Sequence, residues 1–98
     1  MEFDLFGKKY TLEYVDNLSE ENSGEVYYGI TNHPKCEVKV AKKANNVKLK
    51  KDDIEITKLH EIFHCIFDAG QYNNCNNDEP LVEWCARCIF ALKKQGVI

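Results

Sequence analysis

Near residue 50 the hydrophobic residues change their spacing, and that change constrains the fold more than any other feature of the chain. Upstream, apolar side chains recur at every second position, the period of a strand with one buried face. The segment "FDLFGKKYTLEYV" (3–15) reads as two short strands around Gly7-Lys8, with Phe3, Leu5, Tyr10, Leu12 and Tyr14 alternating with polar residues. "EVYYGI" (25–30) and "CEVKVAKK" (36–43) read as a third and a fourth strand separated by the turn "TNHPK" (31–35), and 16–25 as a polar, turn-rich connection. Downstream, Ile54, Leu59, Ile62, Phe63, Ile66 and Phe67 recur at helical spacing up to Gly70, a natural helix stop. "QYNNCNNDE" (71–79) reads as an asparagine-rich loop. Asp78, Glu79 and Pro80 then make a helix start. This last helix, about 79–94, carries Leu81, Trp84, Cys85, Cys88, Ile89 and Leu92 on one side, and Lys93, Lys94 and Gly96 close it. Strands first and helices after predict an α+β fold, with an antiparallel-rich sheet of about four strands packed on two C-terminal helices. A chain of 98 residues without internal repeats fits one domain over 1–98.

Hydrophobic residues make up 44% of the chain, enough for one core but a modest one, so a bound metal would matter to stability. The net charge of −3 argues against binding a nucleic-acid backbone, which calls for a basic face. The lysine cluster at 39–51 is followed at once by Asp52-Asp53 and reads as a solvated surface. No apolar run approaches the roughly 20 residues of a membrane span. The start, "MEFDLFGKKY", lacks the order of charges and apolar residues of a secretory signal. A soluble, cytoplasmic protein is expected, with no nucleic-acid or membrane partner. Cys36, Cys65, Cys75, Cys85 and Cys88 are then expected as free thiols.

The chemistry sits in "TKLHEIFHCIFDAG" (57–70), where His60-Glu61-Ile62-Phe63-His64 spells H-E-x-x-H. Residues four apart on a helix lie one turn apart on the same face, so His60 and His64 can offer two ring nitrogens to one metal ion. Glu61 stands about 100° further round, out of reach as a ligand but able to take a proton from a water beside the ion. Zn2+ suits imidazole and carboxylate ligands and keeps a coordination position open in catalytic sites. Chance produces the motif in about one shuffled sequence of this composition in a hundred, so its context must carry the reading. Glu83, on the next helix and 19 residues after His64, is the preferred third ligand. Glu79, one turn earlier, is the alternative or a supporting group. Asp68 is placed to orient His64 or to lie on the surface.

Other readings compete with this one. The two histidines read alone as ordinary surface or core residues. Cys85-x-x-Cys88 reads as small buried hydrophobes rather than a zinc or redox pair, because both face the same side of a helix as Ile89 and Leu92. His33 reads as a surface histidine in a turn. Tyr27, Tyr28 and Tyr72 are candidate oxyanion donors among which spacing does not choose.

Taken together, the strand-rich N-terminal half, "HEIFHCIFDAG", the polar loop and "DEPLVEWCARCIFAL" resemble the small zincin-like metallopeptidases encoded by phages and prophages, and more distantly the ImmA/IrrE-type peptidases. The resemblance spans nearly the whole chain, and its specific part is 57–92. It implies a twisted sheet packed on the motif helix, His60, His64 and Glu83 as zinc ligands, and Glu61 as general base. It also implies an edge strand beside the cleft to hold an extended peptide, for which "CEVKV" is the candidate. The expected activity is zinc-dependent peptide-bond hydrolysis in the cytoplasm, with a peptide or protein, such as a regulatory protein, as substrate. The alternative is a catalytically silent binding protein that keeps the fold and a structural zinc.

Overall fold

The computed structural model describes residues 1–18 and 26–98. Alternation in the N-terminal half produces strands β1 (Glu2–Leu5), β2 (Lys8–Asp16), β3 (Gly29–Asn32), β4 (Glu37–Ala44) and β5 (Val47–Lys48). The helical half produces α1 (Lys51–Ala69), a short α2 (Asn73–Asn76) and α3 (Glu79–Lys94). The protein is α+β, as the change of period predicts. The expected connection at 16–25 falls for the most part on 19–25, outside the described residues.

Two hairpins turn through left-handed residue pairs. Phe6 (φ 54°) and Gly7 (φ 96°) join β1 to β2, and Asn45 (φ 50°) and Asn46 (φ 63°) join β4 to β5. Both pairs fit the twist of a two-residue hairpin. The strand order is β1-β2-β4-β3, with β5 paired to the end of β4. β4 runs parallel to β2 and antiparallel to β3, so the sheet is mixed. The most apolar strand takes the centre: Val38, Val40 and Ala41 of β4 are buried. The expectation that "CEVKV" forms the edge beside the cleft is therefore wrong, since β4 is paired on both sides and has no free ladder to offer. β3 holds the outer position.

One face of the sheet buries Tyr10, Leu12, Val38 and Val40 against Cys65 of α1, with Phe3, Leu5, Ile54 and Ile62 packed around them. α3 lies along α1 rather than on the sheet. The two helices run antiparallel, pinned at one end by Lys93–Glu55 and Lys94–Asp52, both 3.2 Å. The buried face of α3 is centred on Val82 and Ala86, and Trp84, expected on the inner side, is 66% exposed. α1 is thus sandwiched between sheet and helix, which leaves few of its residues wholly exposed. It ends where expected, but the left-handed residue is Gln71 (φ 61°), with Gly70 at φ −86°. Tyr72 N–H reaches Phe67 C=O and Gln71 N–H reaches Asp68 C=O, the pairing of a Schellman cap. At the start of α3 the Asp78 side chain accepts from Leu81 N–H at 3.2 Å, the cap its sequence predicts.

Candidate metal site

The histidines and the glutamate of the motif face different elements. His60 points to α3, His64 to α2 and α3, and Glu61 to β3. This follows from helix geometry: His60 and His64, four residues apart, share the face toward α3, while Glu61, about 100° further round, turns to β3.

Glu79 spans the two histidines. Its Oε2 is 2.9 Å from His60 Nε2 and its Oε1 is 3.0 Å from His64 Nε2. His60, His64 and Glu79 form a group whose ligand atoms lie within 4.8 Å of one another, and it could hold a metal ion. Glu83, the preferred third ligand from sequence, lies at the opposite nitrogen of His60, 2.9 Å from Nδ1. Its second oxygen accepts from Arg87 Nε at 2.9 Å. Burial pushes the Glu83 carboxyl up, but the hydrogen bonds from His60 and Arg87 outweigh it and hold the group below its ordinary value. His64 Nδ1 is 2.6 Å from Asn76 Oδ1 of α2, a partner not foreseen in the polar loop.

These contacts place an acceptor opposite every ring nitrogen of the pair. A neutral imidazole has one N–H and one lone pair. If the N–H groups serve Glu83 and Asn76 at the Nδ1 positions, both Nε2 lone pairs face the carboxylate oxygens of Glu79. Lone pair against carboxylate is repulsive, and a cation between them converts that repulsion into ligation. The Glu79 side chain is 64% exposed, so the cluster opens to solvent on that side.

Glu61 is 7% exposed and accepts from Thr31 Oγ1 at 2.8 Å. Burial raises its carboxyl pKa against the opposing pull of Thr31, His60 and His64. Gly29 of β3 permits this close fit: a Cβ there would stand 2.8 Å from Thr57 Cγ2 and 2.9 Å from Glu61 Cγ. Two cavities meet at this point. One of about 470 Å3 is lined by Tyr28, Leu49, Ile56, His60, Glu61 and Arg87 among others. The other, of about 430 Å3, includes Tyr27, Thr31, His33, His64 and Glu79 with the same His60 and Glu61.

Asp68 does not orient His64. Its carboxylate accepts from Lys8 Nζ and from Tyr10 OH, the latter at 2.9 Å. Burial pushes Asp68 up, and these two hydrogen bonds outweigh it and hold the group below its ordinary value. His33, read from sequence as a surface residue, instead lines the second cavity, its ring 6.4 Å from that of His64. Of the tyrosines, Tyr27 and Tyr28 line the cavities, and Tyr72 is 64% exposed elsewhere. All five cysteines are free thiols, and among the described residues none joins a metal-binding group. Among the described residues, no helix is long and apolar enough to cross a membrane. Comparison with protein-family models, with curated proteins and with solved structures found no match to this chain.

Proposed function

We propose that this protein is a minimal zinc-dependent peptidase with a zincin-like core, of the kind carried by phages and prophages. It would act in the cytoplasm on a peptide or a regulatory protein. The observation that carries the reading is the pair of Nε2 atoms converging on one exposed carboxylate, with a buried glutamate beside them. His60, His64 and Glu79 are the ligand set this geometry favours. Glu83 and Asn76 take the supporting positions at Nδ1, where an acceptor fixes the ring and raises its basicity. The arginine on Glu83 supports that division, because a carboxylate committed to a guanidinium is a poorer ligand.

Zinc bound there would supply Lewis acidity toward a carbonyl and an acidified water. The chain supplies the rest. β3 has a strand on one side only among the described residues, and its outer edge offers backbone groups to an extended peptide. Glu61 Oε1 is held by Thr31, which fixes the carboxylate facing the cleft. Burial makes it a stronger base than a surface glutamate, suited to take a proton as water attacks and return it to the leaving amine.

Glu61→Gln tests the mechanism. It should lower peptide hydrolysis by about 10²- to 10⁴-fold, the usual worth of a general base, while zinc content stays at the parent level. A Glu61→Gln protein that hydrolyses peptides at the parent rate would refute it. An unchanged biological effect without hydrolysis in either protein would favour the silent binding protein with structural zinc.

A further inference from the structure

A chain of polar side chains runs from His64 through Asn76 and His33 to Asp68, and its members come from parts of the sequence far apart. Asn76 Oδ1 accepts from His64 Nδ1 at 2.6 Å, and Asn76 Nδ2 is 3.3 Å from His33 Nε2. His33 belongs to the turn between β3 and β4, where Cys36 N–H bonds back to His33 C=O at 3.1 Å. Its Nδ1 is buried without a hydrogen-bond partner, and the nearest carboxylate oxygen, Asp68 Oδ2, is 3.6 Å away. Asp68 is anchored in turn by Lys8 and Tyr10.

A side-chain amide is a donor at one end and an acceptor at the other, so it can be held in either of two orientations. Only one of them serves His64 as a metal ligand. With oxygen toward His64, Nδ1 carries the proton and Nε2 presents its lone pair to the site beside Glu79. With nitrogen toward His64, Nδ1 must accept, the proton moves to Nε2, and the ligand atom is lost. His33 selects between them through its own tautomer: the Asp68 carboxylate beside Nδ1 favours the proton there, which leaves Nε2 as an acceptor for the amide nitrogen and turns the amide oxygen to His64.

We propose that Asn76 and His33 are positioning residues for the metal site: Asn76 fixes the tautomer of His64, and His33 fixes the orientation of Asn76. This rests on the metal-site reading above and adds to it the tautomer that Asn76 imposes and the part His33 plays in orienting Asn76.

The test is zinc affinity of the full chain, measured by competition with a chromophoric chelator, beside thermal melting of each metal-free protein. Asn76→Ala should weaken zinc binding by about 10- to 100-fold, the usual cost of removing such a partner. Asn76→Asp should retain the parent affinity or exceed it, since both carboxylate ends accept. His33→Leu should weaken binding by a smaller factor in the parent and leave it unchanged in the Asn76→Asp protein, where there is no amide left to orient. In the zinc-loaded parent, 15N-labelled imidazoles should show His64 protonated at Nδ1 and metal-bound at Nε2. If Asn76→Ala disturbs folding, the Asn76→Asp and His33→Leu comparison and the 15N spectra still decide. Affinities unchanged by Asn76→Ala, an equal His33→Leu effect in both backgrounds, or zinc on Nδ1 of His64 would each overturn the proposal. A parent protein that takes up no zinc fails the metal-site reading itself, and the positioning role falls with it.

Discussion

Replacing Gly29 by alanine is the sharpest probe of how β3 and α1 fit together. A Cβ at this position would lie 2.8 Å from Thr57 Cγ2, 2.9 Å from Glu61 Cγ and 3.0 Å from Glu61 Oε2. All three distances are well inside ordinary contact, and two involve Cγ atoms, which are not the free ends of flexible side chains and give way only with a rotamer change or a backbone shift. Overpacking of this kind costs about 1–3 kcal/mol. The lower freedom of alanine in the unfolded chain offsets about 0.4–1 kcal/mol, leaving a net loss of about 1–2 kcal/mol. For a domain of this size that is a fall in Tm of about 5–15 °C. The chemical cost should be larger than the thermal one. Relief of the clash moves either β3 or the Glu61 carboxylate, and a misplacement of about 1 Å at a reacting group can cost about 100-fold in rate. Differential scanning calorimetry and a peptide-hydrolysis assay read the two effects separately. Thr57→Ser, which deletes the nearest methyl, should restore part of the lost Tm in the Gly29→Ala background. An alanine variant that melts with the parent and gains nothing from Thr57→Ser would show that β3 does not approach α1 as described.

Other predictions follow from individual side chains. Glu79→Ala should abolish stoichiometric zinc by elemental mass spectrometry, whereas Glu83→Ala should keep zinc at stoichiometric loading and bind it about 10- to 100-fold more weakly, as loss of a supporting partner does; the reverse ranking would make Glu83 the ligand. Asp68 has its folded pKa depressed, so its contribution is fully present above the unfolded value near 3.8 and is lost as pH falls through the folded one. Asp68→Asn should therefore be less stable than the parent in denaturant titrations at neutral pH, with the gap closing below about pH 3.8, near the reference carboxylate value. Burial pushes the Cys65 thiol up to about 12; at pH 8 native protein should resist alkylation there while Cys75, Cys85 and Cys88 react, and mass spectrometry after unfolding should find all five modified.

What the sequence made legible was set by local rules. The change of period located β1, β2, β4 and both long helices because burial of one face dictates it, whereas β3 runs over Gly29–Asn32, into residues read as a turn, and the two-residue β5 is too short to show a period. Asp78-Glu79-Pro80 marked the start of α3 because a helix start leaves backbone N–H groups to be capped. H-E-x-x-H placed two imidazoles on one helical face for the same reason. What local rules could not supply was partner choice. Sequence spacing admitted both Glu79 and Glu83, and the depth to which α3 slides along α1 decides which oxygen meets the two Nε2 atoms. Trp84 was misplaced because it stands two positions from both Val82 and Ala86, about 200° round the helix from each, so the face that those two bury against α1 turns it outward. β4 was taken for the edge because it was the predicted strand nearest the motif in sequence; pairing is not a matter of sequence distance, and its ladders to β2 on one side and β3 on the other put it at the centre. Asn76 and His33 carry no pattern at all, and only the meeting of α2 with the β3–β4 turn gives them a role.

That meeting bears on how so short a chain can keep a polar site without losing its fold. Glu61, Glu79 and Glu83 crowd three carboxylates around two imidazoles at the joint where α1, α3 and β3 meet. Arg87 offsets one of them and sits on the rim, 60% exposed. Without a cation, α3 is held to α1 at this end by the contacts of Glu79 and Glu83 with the two imidazoles, while Lys93 and Lys94 hold the helices together at the other. A divalent ion placed among the Nε2 atoms and Glu79 would strengthen that end, because it binds the assembled ligands and not the unfolded chain. A ligand present at 100 times its dissociation constant stabilises the folded state by about 2.7 kcal/mol, a substantial part of the ~5–15 kcal/mol on which a domain stands. The site that would carry the chemistry would then also close the helical layer, which ties the packing of α3 on α1 to metal occupancy.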